Sequence, residues 1–313
     1  MQDCLRQALL RILPDAQALD VLSSDRDLAA DVLVESASAL PTAARPRLSR
    51  LFRELGLMDR ALARLRHRRW SERLRAANHL GFTGDPAVIP PLVQSLDDEM
   101  LDVRLAAGRA LAQLRAPDGV VPILHALAVR GDVPLKLAAD VLTEYGEAAV
   151  APLIQFLRNR SAGSDVPAAT VAAIVLGLSR QEAAVPMLVD LMADPESELR
   201  VNAARALGLV GGGRAVAALC AQGADPVWQV RSAVAQALGR AGDPIGVPIL
   251  SSLLPDRAWW VRWNAALALS RLGDAGREIL VRAGRDHADR FARDVSREVL
   301  EWRAPGALEG ARP

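Results

Sequence analysis

The sequence predicts an all-α protein, a right-handed α-solenoid of two-helix hairpins that recur about every 31 residues, with an atypical helical N-terminal cap. Composition is the first observation: 51% of the 313 residues are hydrophobic and only 4% are aromatic, with Ala and Leu dominant. Small and unbranched side chains favour helices and let them pack closely. The second observation is a residue pattern that recurs along most of the chain, as repeat architectures require.

The repeat is clearest around a Val-Arg or Leu-Arg pair. Around Arg231, small or apolar residues stand three and four positions later, Leu238 stands seven later and Gly242 eleven later. The frame recurs at intervals of 31 residues, with one interval of 34, at the following anchor positions: Arg73, Arg104, Leu135, Ala169, Arg200, Arg231, Arg262 and Arg293.

Each repeat is predicted to hold two helices. The second helix carries the anchor, because apolar residues one before, three after and seven after it share one face of a 3.6-residue period. A Gly such as Gly242 ends it, and the following Asp243-Pro244 caps and starts the next helix. One hairpin cannot bury its own apolar face, so the hairpins are expected to stack.

The ends of the chain depart from this frame. Residues 1–60 are predicted to be the helical N-terminal cap region, with helices near 2–13, 25–40 and 47–58. Residues 61–303 are predicted to form the repeat solenoid, and 304–313 a flexible tail.

Charge is unevenly distributed although the net charge is only +1. Residues 1–44 hold 3 Arg and 7 acidic residues, whereas residues 45–75 hold 11 Arg and 3 acidic residues. We interpret the basic stretch from Arg60 to Arg75 as a solvated helix face, partly neutralised by the acidic first 44 residues. Peripheral contact with acidic lipid headgroups is the alternative. The near-neutral total predicts no nucleic-acid partner.

Cysteine usage and hydropathy bear on location. Cys4 and Cys220 give neither a disulfide framework nor metal-ligand spacing. No apolar run reaches about 18 residues, so no transmembrane segment is expected. The N-terminus lacks the features of a secretory signal. We therefore expect a cytoplasmic protein. The alternatives are a membrane-peripheral location and a soluble part of a longer protein.

Two residue types recur in step with the anchors. Asp98, Asp194, Asp225 and Asp256 stand six positions before an anchor, which favours turn and capping roles with Arg paired between repeats. Trp residues stand three positions before an anchor, where an aromatic ring can cover the hairpin turn: Trp70, Trp228 and Trp259.

Trp260 and Trp263 break this pattern. With Trp259 they place three indoles within five residues, beside Asn264, and positions 259 and 263 share a helix face. Trp is enriched at binding hot spots, so these four residues are candidate partner-binding residues. Filling of space near the C-terminal end of the repeats is the other interpretation.

A further candidate surface follows from helix geometry. If the inner face carries the positions one, five and nine after each anchor, it is a mixed-charge groove with an aromatic end. Such a face suits a polar protein partner better than a phosphate backbone; a solvated helix face has a similar pattern. Its candidate partner-binding residues are Arg109, Lys136, Asp140, Arg205, Gln236, Arg240 and Arg271.

The motif Asp-x-x-x-x-Val-Arg-x-x-Ala-Ala-x-x-Leu, ending in Gly-Asp-Pro, resembles the short HEAT-like repeats first associated with phycobilisome lyases. The resemblance covers roughly residues 68–303 and implies an α-solenoid. It also implies a range of functions, because such repeats occur in scaffolds, adaptors and a few enzymes.

Catalytic motifs are missing from the sequence. None of its four His forms the His-Glu pair of HEAT-repeat di-iron hydroxylases, and no metal-binding or phosphate-binding motif is present. We predict a non-catalytic scaffold or adaptor that binds a protein partner through its solenoid surface, with no catalytic, cofactor or metal residues. A tetrapyrrole (bilin) lyase-like accessory enzyme or chaperone is the alternative implied by the resemblance. A membrane-peripheral assembly factor is the third possible function.

Overall fold

The computed structural model describes residues 26–37, 50 and 52–302, and these residues form helices and no strand. The chain divides into two compact units, Met1–Pro152 and Leu153–Pro313. In each unit helical hairpins stack in sequence order, which confirms the predicted all-α solenoid fold. Within the described residues no helix has the length and apolar character needed to cross a bilayer.

The first unit begins with a helix that precedes the repeats, and short 3-10 turns introduce several of its later helices. A π-helical turn, His125–Val129, extends α6. The helices are α1 (Arg26–Ala37), α2 (Leu57–Arg64), α3 (Trp70–Gly81), α4 (Ile89–Ser95), α5 (Leu101–Gln113), α6 (Val120–Leu124) and α7 (Leu135–Thr143). Helix α8 (Val150–Asn159) includes the point where the two units divide.

The second unit repeats the hairpin with greater regularity. Its second helices pack one on the next in the order α9, α11, α13, α15 and α17. The helices are α9 (Val166–Ser179), α10 (Val185–Leu191), α11 (Ser197–Val210), α12 (Gly213–Ala221), α13 (Trp228–Ala241), α14 (Val247–Ser252), α15 (Trp259–Leu269), α16 (Gly273–Asp286) and α17 (Arg290–Trp302).

The anchor frame is confirmed, because every anchor lies in a second helix. The predicted caps are confirmed at Asp85 and Asp243, whose carboxylates accept hydrogen bonds from backbone N–H groups two residues later, each at 2.9 Å. The leucine seven positions after an anchor is fully buried from the first repeat to the seventh: Leu80, Leu111, Leu142, Leu176, Leu207, Leu238 and Leu269.

A glycine eight positions after the anchor lets neighbouring second helices approach closely, a feature the sequence interpretation missed. At Gly208 an added Cβ would lie 2.6 Å from the Cα of Ala237 on the next second helix, closer than Cβ contacts come. Only a residue without a side chain fits there. The same contact with an Ala recurs at Gly81, Gly177 and Gly239.

Helix α1 lies within the predicted helix at 25–40 and is held to the repeats by charged side chains. Asp27 accepts hydrogen bonds from Arg60 at 3.1 Å and Arg64 at 2.6 Å. The bond from Arg64 keeps the pKa of Asp27 below its ordinary value, against the opposing effect of burial. Asp31 lies 2.8 Å from Nε2 of the buried His79. Acids of the first 44 residues thus neutralise part of the basic stretch, as predicted.

The N-terminal region departs from one of the predicted helices. The predicted helix at 47–58 is interrupted, because the chain turns at Gly56, whose φ is 64°, and α2 begins at Leu57. The predicted helix at 2–13 and the tail at 304–313 lie outside the described residues.

Candidate protein-binding surface

An ion pair links successive repeats in the regular part of the second unit. Nε and Nη2 of Arg200 donate to the two carboxylate oxygens of Asp225 at 2.8 and 3.1 Å. Nη1 of Arg200 donates to the backbone oxygens of Asp194 and Pro195 at 2.9 and 3.0 Å. Each such pairing of an anchor Arg with the Asp 25 residues later is called a rung below. Because the guanidinium bonds its own repeat and the next, a rung fixes their spacing.

The Asp of a rung also shapes the turn before its own second helix. Oδ1 of Asp256 accepts from the backbone N–H of Ala258 at 2.8 Å while Arg231 donates to both oxygens at 2.7 and 2.9 Å. Burial alone would raise the pKa of Asp256, but the bonds from Arg231 and Ala258 outweigh it and hold the pKa below its ordinary value. The predicted turn and pairing roles are confirmed.

The first unit contains one regular rung and one altered rung. Arg73 pairs with Asp98 at 2.6 and 2.9 Å. Arg104, which is 1% exposed, bonds instead to Asp132, 28 residues later, and its Nε is buried without a partner. The π-helical turn lies between Arg104 and Asp132, where the repeat is least regular.

A different residue supplies the rung where the anchor is Ala169. Arg160, nine residues earlier, pairs with the buried Asp194 and donates Nη1 to the backbone oxygens of Ser161 and Ser164. The sequence interpretation missed Arg160. Its signal is Asp194 itself, a repeat Asp with no Arg 25 positions before it.

The series of rungs ends at Arg262. This side chain is only 9% exposed, and Nη1 donates to the backbone oxygens of Asp256 and Arg257 at 2.8 and 3.2 Å. The residue 25 positions later is His287, and among the described residues no carboxylate completes the rung. The guanidinium carbon lies 4.8 Å from the ring centre of Phe291, a cation–π distance.

Four indoles meet at the same end of the second unit. The ring centres of Trp259 and Trp260 lie 4.6 Å apart, edge to face, and Trp259 stacks on Trp263 at 5.5 Å. Trp263 lies 6.3 Å from Trp302 of α17. Trp260 is 55% exposed and Trp302 46%. These four residues are called the tryptophan cluster below; Trp302 was not among the predicted residues, since it lies 39 positions from Trp263.

One predicted surface residue is corrected. Asn264 is buried, and its Nδ2 donates to the hydroxyl of Ser232 at 2.8 Å inside the contact of α15 with α13. The amide therefore bonds two repeats together and is not available to a partner. The Trp residues expected over hairpin turns are partly exposed, and their packing role stays a prediction: Trp70, Trp228 and Trp259.

The remaining predicted residues lie at the surface of their own units. In the first unit, Lys136 pairs with Asp140 at 3.2 Å and Arg109 with Glu144 at 3.5 Å. In the second, the exposed side chains make no hydrogen bond or ion pair with one another in the described part of the chain: Arg205, Gln236, Arg240 and Arg271. Their role in binding stays a prediction.

The described residues contain no group of His, Cys, Asp and Glu suited to a metal ion. Burial raises the pKa of the Cys220 thiol, which disfavours the reactive thiolate. A small cavity and a larger open concavity lie near α1, and Arg75 and His79 line part of both.

Among solved structures the chain is similar to an engineered protein, with 20% identity, a TM-score of 0.39, and coverage of 96% of this chain and 94% of that one. It is similar to the complex of CpcE and CpcF of phycocyanin lyase from Nostoc sp. PCC7120 (20% identity, TM-score 0.34, coverage 78% and 93%). It is also similar to human deoxyhypusine hydroxylase (22% identity, TM-score 0.33, coverage 88% and 98%). At these values the likenesses carry no information about function. No curated protein matches the chain significantly.

A sequence profile of HEAT repeats matches residues 58–143, 150–233 and 217–301. These matches span most of the chain and coincide with the stacked hairpins and their anchor positions. The chain belongs to the HEAT repeat family.

Proposed function

We propose that this protein is a non-catalytic scaffold that binds a protein partner through the second unit, with the tryptophan cluster as the main contact. The observation that supports this is the exposure of Trp260 and Trp302 in a cluster in which Trp259 stacks on Trp263 and pairs edge to face with Trp260. Indoles fixed before binding lose little conformational entropy on association, and Trp is the residue most enriched at interface hot spots.

A structural role explains the contacts of Trp259, Trp263 and Trp302 but not the exposure of Trp260. Trp263 and Trp259 join α15 to the end of α17 through Trp302, so they contribute to packing. Trp260 is more than half exposed and forms an edge-to-face pair with Trp259. A large exposed apolar side chain next to a packed cluster is typical of an interaction site.

The other two functions gain no comparable support. The basic stretch from Arg60 to Arg75 offers less charge to an anionic membrane because Arg60 and Arg64 pair with Asp27 and Arg73 pairs with Asp98. A lyase-like activity has no residue here to which it can be assigned.

A pull-down from the native cell tests the proposal. Tagged wild type is compared with a Trp260→Ala, Trp302→Ala double variant, which removes the two most exposed rings of the tryptophan cluster. Trp228→Ala, an exposed Trp outside the cluster, is the matched control, and thermal unfolding checks that each variant is folded. We expect a specific protein retained by wild type and control and lost by the folded double variant. Equal retention by the double variant would contradict the proposal.

A further inference from the structure

We propose that the end of the second unit binds an acidic segment of its partner, with a carboxylate on the guanidinium of Arg262 and an apolar side chain on Trp260 and Phe291. This inference rests on the proposed function and adds the chemistry of the partner. It comes from comparing Arg262 with the anchors of the intact rungs.

Arg262 is held like the other anchors but lacks their acid. Its Nη1 bonds the backbone of its own repeat, as Nη1 of Arg231 does. In Arg200 and Arg231, Nε and Nη2 donate to a carboxylate. In Arg262 these two donors have no acceptor among residues 26–37, 50 and 52–302. The side chain is nevertheless nine-tenths buried.

His287 explains the missing acid. Its Nδ1 accepts from the backbone N–H of Asp289 at 3.0 Å, just as Oδ1 of Asp256 accepts from Ala258. Histidine therefore preserves the turn before α17 without supplying a negative charge. The side chain at this position has two roles in the other repeats: it forms the turn and it accepts the ion pair of the rung. His287 retains only the role in the turn.

Three acids close to Arg262 or His287 in the sequence or in the rungs have other partners: Asp256, Asp289 and Asp294. Asp256 completes the rung with Arg231. Asp289 accepts from the backbone N–H of Ala292 at 2.9 Å, and Asp294 pairs with Arg290 at 3.5 Å. A mostly buried guanidinium that donates to no carboxylate in the described part of the chain favours a carboxylate brought from outside.

The aromatic neighbours complete the site. The guanidinium carbon of Arg262 lies over the ring of Phe291, which is 57% exposed. A cation–π contact of this kind does not use the N–H donors of a guanidinium as a hydrogen bond would, so they can still bind a carboxylate. Trp260 occupies in α15 the position that Phe291 occupies in the adjacent helix α17. A segment that carries an apolar side chain near an Asp or Glu meets both features.

The test uses two capped heptapeptides as probes. One has the sequence of residues 224–230 of this chain, Ala-Asp-Pro-Val-Trp-Gln-Val, which presents the Asp of an intact rung with its turn. The other has Asn in place of that Asp. Each is titrated into the ¹⁵N-labelled full chain while the Nε–H signal of Arg262 and the indole N–H signal of Trp260 are followed.

We expect the Asp peptide to shift both signals and to bind about fivefold more tightly than the Asn peptide at low salt. His287→Asp supplies the acid within the chain, so the folded variant should have a higher melting temperature and bind both peptides equally. His287→Asn, which keeps the turn without charge, should keep the preference for the Asp peptide.

Equal binding of the two peptides to wild type, with a shift at Trp260, would overturn the acidic partner and leave the aromatic surface intact. Binding of neither peptide would also overturn it, and the pull-down would then decide the proposed function separately. If the His287→Asp variant still bound the Asp peptide more tightly than the Asn peptide, the carboxylate of the peptide would not bind at Arg262.

Discussion

The anchor arginines make different contacts in the regular part of the second unit and at its C-terminal end. Arg200 and Arg231 are each shared between their own repeat and the Asp of the next. Arg262 has the first contact and lacks the second, and it lies over the exposed ring of Phe291, while Trp260 is exposed two positions before it in α15. The difference teaches that a repeat can keep its hairpin without the inter-repeat ion pair, and that its loss leaves a cationic, aromatic surface.

Removing the Asp of an intact rung should lower the free energy of unfolding more than the other substitutions below. Asp225→Ala leaves the guanidinium of Arg200 buried without its carboxylate and removes the bond to the backbone N–H of Val227. We expect the free energy of unfolding in urea to fall by about 3 kcal/mol. In the exposed pair of Arg290 with Asp294, Asp294→Ala should cost less than about 0.5 kcal/mol. Equal costs would show that burial of the rung does not matter.

Close helix packing also distinguishes these two regions, because the position eight after the anchor is Gly208 or Gly239 in the regular part but Ser270, directly after α15, at the C-terminal end. Gly208→Ala places a Cβ 2.6 Å from the Cα of Ala237 and should lower the unfolding free energy by about 2 kcal/mol. Gly213→Ala is the control, since an added Cβ there meets nothing within 4 Å, and its cost should stay within about 0.5 kcal/mol. A neutral Gly208→Ala would mean that α11 and α13 can separate freely.

The smallest expected effect is a change in how the free energy of unfolding depends on pH in the acid range. The pKa of Asp256 is lowered from 3.8 in the folded protein, so its contribution to stability is fully present above that pH. The contribution is lost as the pH falls below 3.8 through the folded-state value. We expect Asp256→Asn to lose less stability than wild type between pH 4 and pH 2.5, measured by urea unfolding. Parallel losses would argue against ionisation of Asp256 as a source of stability.

The sequence predicted the parts of this comparison that depend on local patterns. Val-Arg anchors, the Leu seven positions later and the Asp-Pro helix starts follow from helix period and capping, so residues such as Leu207 and Asp243 fell where expected. Contacts between repeats were harder to predict. Gly208 matters because of Ala237 on another helix, and Asn264 is buried because Ser232 of α13 lies opposite it.

Two further residues show what pattern matching overlooks. Arg160 stands outside the frame, and only the unpaired repeat Asp194 pointed to it. Arg262 fits the frame so well that its exception is visible only at His287, 25 residues later. Trp302 joined the tryptophan cluster because α17 packs on α15, a contact that no local pattern predicts.

A pair of double-mutant cycles tests the central comparison most directly. One cycle combines Arg200→Gln with Asp225→Asn, and the other combines Arg262→Gln with His287→Asn, each followed by urea unfolding. We predict a coupling energy of about 2 kcal/mol for Arg200 with Asp225 and less than about 0.5 kcal/mol for Arg262 with His287. Equal coupling in the two cycles would mean that His287 completes a rung as Asp225 does, and would contradict the account.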